Sequence, residues 1–75
     1  MKKEHISDYK KLGLSIAYYR KIKGYSQSQL SEKINISRTH MSRIETADCA
    51  VSLDIIFDIA KVLELPLKEL FDFRG

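Results

Sequence analysis

The sequence predicts an all-α domain of five helices, and three observations lead there. Apolar residues recur at helical spacing along most of the chain, serines stand where helix caps belong, and no segment shows the alternation of a strand. One Pro and three Gly leave few places for loops.

The first seven residues, MKKEHIS, carry charge but little apolar content, and are expected to fray or to form an arm whose Lys2 and Lys3 could track phosphates. The folded core is expected over residues 8–72. Asp8 is a plausible cap for a helix over residues 8–23 that ends at Gly24, with Leu12, Ile16, Tyr19 and Ile22 as its apolar face. Gly13 costs about 1 kcal/mol relative to Ala inside a helix, so it either permits a tight contact or marks the helix start. Ser26 followed by Gln29 is a capping box, and Leu30 and Ile34 lie one turn apart before Asn35, a residue that tolerates the left-handed conformation. After the turn Asn35, Ile36 and Ser37, the last residue can cap a third helix in which Met41 and Ile44 point inward. Ser52 caps a fourth, to about Leu63, burying Leu53, Ile56, Ile59, Ala60 and Leu63. Pro66 suits the first turn of a short last helix in which Leu67, Leu70 and Phe71 face inward.

Two short helices joined through a three-residue turn at residues 26–46 form a helix-turn-helix, a motif whose second helix enters the DNA major groove. Arg38, Thr39, Ser42 and Arg43 face out from that second helix. A guanidinium fork suits guanine O6 and N7, and Thr offers a hydroxyl with a methyl that can meet thymine, so Arg38, Thr39 and Arg43 are the candidates for reading bases. Tyr25, Gln27, Ser37, Ser42 and Thr46 are candidates for holding backbone phosphates, the first two because they flank a helix N-terminus. His40 either touches phosphate or stands in solvent.

Here the sequence resembles a known family. SQSQLSEKINISRTHMSRIE is similar to the SQ-x-x-LA-x-x-(L/I)G-(V/I)S-x-x-x-(I/M)SRIE pattern of the Xre/Cro-type regulators, which include the lambdoid phage repressors and restriction-modification controller proteins. LGLSIAYYRKIKGYSQ resembles the family's first helix, and SLDIIFDIAKVLELPLKELF its last two; together the resemblance covers about residues 12 to 71. Ser31 stands for the usual Ala, Asn35 for the usual Gly, and Ala47 with Asp48 for a Gly-Lys or Gly-Arg, which removes a possible phosphate contact. The resemblance implies a compact lambda-repressor-like fold and a transcriptional regulator, more often a repressor. It implies that Gln27 holds a phosphate and braces the start of the recognition helix, and that Arg20 pairs with Glu45 across the first and third helices. It also includes antitoxins, so a toxin is the alternative main partner; otherwise regulation would act through RNA polymerase.

Charge is divided in a way that suits this reading. Residues 1–45 carry ten basic against four acidic residues, a balance of +6, whereas residues 46–75 carry three against six, or −3. Such a field steers polyanions to one side of the domain. Chains of 75 residues make one small domain. No apolar run approaches the roughly 18 residues of a membrane span, and the expected location is the cytoplasm. The single cysteine, Cys49, excludes an internal disulfide; two His and scattered carboxylates share no spacing for a nucleophile or metal site, and neither enzyme nor cofactor is expected. Asp54 and Asp58 are expected to form a solvated face. Ile55 and Val62, seven residues apart, with Phe57 and Phe73 added to them, either enlarge the core or form an exposed stripe. As a stripe they would join two copies, since a two-fold dimer matches palindromic half-sites about 34 Å apart.

Overall fold

The computed structural model describes residues 1–73. A 3-10 turn at Lys3–His5 leads into α1 (Ile6–Ile22), followed by α2 (Gln27–Lys33), α3 (Arg38–Glu45), α4 (Leu53–Val62) and α5 (Leu67–Leu70). The N-terminal segment expected as an arm is therefore helical from Lys3, and α1 begins at Ile6, ahead of the expected cap. Asp8 lies in the first turn instead, where a carboxylate complements the positive end of the helix dipole.

The three serines act as the sequence suggests. Ser26 accepts from the Gln29 amide at 3.0 Å while the Gln29 side chain accepts from the Ser26 amide at 2.8 Å, closing the capping box. Ser37 accepts from the His40 amide and Ser52 from that of Ile55. Four helices end alike. Gly24, Asn35, Ala47 and Glu64 take positive φ, and the amide of the following residue donates five residues back: Tyr25 to Arg20, Ile36 to Ser31, Asp48 to Arg43 and Leu65 to Ala60. This is the Schellman closure, which satisfies carbonyls that a helix end leaves open.

Ile16, Leu30, Met41, Ile56, Ile59, Leu63 and Leu70 are the large side chains sealed from water, so every helix contributes to one core. α3 packs on both α2 and α1, with α4 and α5 closing the other side. Gly13 permits a tight contact rather than starting a helix. A Cβ built there would fall 2.8 Å from the Ile44 carbonyl oxygen and closer still to that of Glu45, so α1 and the end of α3 touch backbone to backbone. The Tyr19 hydroxyl donates to Glu69 Oε2 at 3.0 Å and fastens α5 to α1; that hydrogen bond to a carboxylate, foremost, raises the Tyr19 pKa.

Several expected core residues stand outside. Ile22, Leu53, Leu67 and Phe71 are exposed. On α4 the apolar stripe has two edges. Ile55 and Val62 occupy one and are half-buried against the core, while Leu53 and Phe57 occupy the other and face water. The expected exposed stripe is thus corrected at Ile55 and Val62, which pack against the core because a residue four positions before Ile59 or three after it shares most of that inward face. Phe57 is exposed as expected, and Leu53, expected in the core, is exposed beside it. Phe73 is exposed as expected, tilted against Phe71.

Candidate nucleic-acid interface

α3 is amphipathic in the sense that matters for a site: one face is fixed and the other is free. Met41, Ile44 and Glu45 are buried, whereas Arg38, Thr39, Arg43 and Thr46 are exposed. At about 100° per residue, Thr39, Ser42, Arg43 and Thr46 fall on one outward stripe, with Arg38 on one flank and His40 on the other. Ser42 and His40 are half-buried.

A buried polar cluster sets the angle of this helix. Arg20 Nε donates to Glu45 Oε2 at 2.7 Å and Arg20 Nη2 to Glu45 Oε1 at 3.0 Å, a two-pronged pairing between α1 and α3. Arg20 Nη1 donates to the Tyr25 carbonyl at 2.9 Å, so the same guanidinium also holds the loop ahead of α2. With Arg20 7% and Glu45 8% exposed, each charge is withdrawn from water and relies on the other. Gln27 completes the cluster by donating its side-chain amide to Glu45 Oε1 at 2.9 Å. That corrects one expectation: Gln27 braces the end of α3, through Glu45, and not its start. A primary amide has two hydrogens, so the second remains for a phosphate.

The other candidates divide. Ser37 spends its lone pair on the α3 cap, which leaves its own hydrogen for a phosphate oxygen. Tyr25 is half-buried against the core, with its backbone carbonyl taken by Arg20. Thr46 does not fit its expected role. Its hydroxyl lies 3.0 Å from both the Ser42 carbonyl and Asp48 Oδ2, so its one hydrogen is held within the helix end, and a phosphate there would also meet the Asp48 carboxylate. Asp48 itself was legible only as the lack of a base, and its use of Thr46 is visible only in three dimensions.

Known proteins share this arrangement. The helix-turn-helix family profile matches residues 16–70. The HTH-type transcriptional regulator SlrR of Bacillus subtilis (strain 168) is 37% identical over 62 residues, 81% of this chain and 41% of that protein. SinR of the same organism is 34% identical over 62 residues, 81% of this chain and 56% of that protein. The chain therefore spans about half the length of these curated relatives. Among solved structures, the restriction-modification controller protein C.AhdI from Aeromonas hydrophila superposes with a TM-score of 0.82 at 31% identity, covering 87% of this chain and 98% of that one. SinR, described as the master regulator for biofilm formation and solved in complex with DNA, superposes at 0.73 with 34% identity, covering 81% and 98%. With a family match over most of its length and the buried Arg20–Glu45 pair between its first and third helices, the chain belongs to the Xre/lambda-repressor-like helix-turn-helix family.

Proposed function

We propose that this chain is a sequence-specific double-stranded DNA-binding regulator of transcription, acting as a repressor and as a homodimer on a palindromic operator. The observation that carries the reading is α3: an exposed stripe of Thr39, Ser42 and Arg43 with Arg38 beside it, on a helix whose angle is locked by buried Arg20, Glu45 and Gln27. Arg38, Thr39 and Arg43 read base edges; Gln27, Ser37, Tyr25 and Ser42 hold the backbone, with His40 at the margin. The copies meet through Leu53 and Phe57 with Phe71 and Phe73, an exposed apolar surface on the acidic half, which leaves the basic half for DNA. Binding over a promoter excludes RNA polymerase, which makes repression the simplest outcome. The place of action is the cytoplasm; no helix among the described residues is long and apolar enough to cross a membrane.

Selection of bound duplexes from a random pool tests this. A palindrome with half-sites about 34 Å apart is expected. Failure to enrich any sequence would overturn sequence-specific binding, and a single unrepeated half-site would overturn the dimer.

A further inference from the structure

Eight residues make α3 about 12 Å long, which matches the width of the DNA major groove, also about 12 Å. On the reading of α3 given above, its last turn therefore still lies against base edges. Thr46, which closes that turn, is exposed and falls about 20° from Thr39 around the helix axis, two turns further along. Its hydroxyl is drawn back from that outward direction. Oγ1 lies 3.0 Å from the Ser42 carbonyl oxygen, one turn back along the helix, and 3.0 Å from Asp48 Oδ2, both of them acceptors for its single hydrogen. Beyond the backbone, the Cβ of a threonine carries one other heavy atom, the methyl carbon. With the hydroxyl held at the helix end, that methyl is what Thr46 presents to whatever faces the stripe.

We infer that Thr46 is a specificity-determining residue that reads a thymine, its methyl set against the 5-methyl group of the base. This rests on the proposed DNA-binding function and adds a position to the sequence that the chain selects. Thymine is the one base that offers apolar surface in the major groove. The other partners available there fit less well. A phosphate would meet the exposed Asp48 carboxylate, which already stands beside Thr46. The guanine edge offers N7 and O6, both acceptors, to a hydroxyl whose hydrogen is engaged and to a carboxylate that has none to give. The amino groups of cytosine and adenine would be met by oxygen and not by the methyl, a difference that isosteric variants separate. Thr39 is no competitor for the same base. The two threonines are seven residues apart, about 10 Å along the helix, and so meet different base pairs.

The test uses the duplex selected from the random pool, with each thymine of one half-site replaced in turn by deoxyuridine, which lacks only the methyl. For the wild-type chain, replacement of the thymine that Thr46 meets should weaken binding about threefold, the expected size of one lost methyl contact. Thr46→Ser keeps the hydroxyl and should no longer distinguish thymine from uracil at that base. Thr46→Val keeps the methyl and should still distinguish them, as should Thr39→Ser, whose change lies elsewhere on the helix. Thr46 is exposed, so both of its variants should fold, as circular dichroism would show. The inference is overturned if no thymine is found whose replacement is felt by the wild type and not by Thr46→Ser. Loss of the distinction in Thr46→Val would assign the contact to the hydroxyl and overturn it too, and equal weakening of the selected and a scrambled duplex by Thr46→Ser would move it to phosphate. A pool that enriches no duplex overturns the proposed function itself, whereas an enriched duplex that is indifferent to these replacements overturns only the role of Thr46.

Discussion

Gly13 and Glu45 touch through their backbones, with no room for a side chain between α1 and the end of α3. Replacing Gly13 by Ala sets two effects against each other. Alanine gains about 1 kcal/mol of helix propensity. Its methyl, however, would have to push apart two helices that are also joined by Arg20 and Glu45, and overpacking of this kind costs up to about 3 kcal/mol or more because the obstacle is backbone. The clash wins, so urea titration should show a net loss of about 2 kcal/mol or more. A neutral or stabilising result would show that α1 and α3 separate cheaply.

The same contact shows what a sequence can convey. Gly13 in a helical stretch was visible as an anomaly with two readings, and only the packing of α3 chose between them. The starts of α2, α3 and α4 were legible because capping is local: Ser26, Ser37 and Ser52 each act within three residues, whereas α1 starts at Ile6 without a side-chain cap and ahead of Asp8. Helix ends were half legible. Gly24 and Asn35 announce the left-handed conformation, whereas Ala47 and Glu64 adopt it against their own preference, held by closure bonds such as Asp48 to Arg43 and Leu65 to Ala60. The inward side of α4 was legible from its period, but which edge of that stripe the neighbours would cover was not. Ile55 and Val62 went in and Leu53 stayed out, a matter of tertiary contacts that periodicity does not encode.

Glu45→Ala should destabilise by about 3 to 5 kcal/mol, since it leaves the Arg20 guanidinium buried without its counter-charge. Arg20→Met with Glu45→Met should cost distinctly less than the sum of the single changes. Gln27→Ala, which removes one amide bond to the carboxylate, should cost about 1 kcal/mol. Urea titrations of this set check the cluster as a unit; single losses below about 0.5 kcal/mol that simply add would mean the residues are not coupled.

Arg38→Ala and Arg43→Ala should each weaken binding to the selected site by about 1 to 3 kcal/mol and change stability little, both side chains being exposed. Asp48→Asn should act in the opposite direction and without regard to sequence, by removing a negative charge from the end of the recognition helix. Titrations on the selected and a scrambled duplex separate the two behaviours. An equal loss on both duplexes for either arginine would reassign it to phosphate.

Leu53→Lys combined with Phe57→Lys should give a folded monomer, because both side chains already face water and their loss leaves the core intact. A specific dimer buries roughly 1,200 to 2,000 Å² in total, and two lysines from each copy at its apolar centre would be left without partners there. Ile55→Glu with Val62→Glu makes the contrast, since these side chains pack against the core and a carboxylate at either would be drawn into it. That pair should lower the urea midpoint whether or not the protein is a dimer. Light scattering and circular dichroism on both double variants decide between the two edges of α4. If the lysine variant still dimerises and the glutamate variant is a stable monomer, the copies meet at Ile55 and Val62 after all, and the apolar surface at Leu53 and Phe57 serves something else.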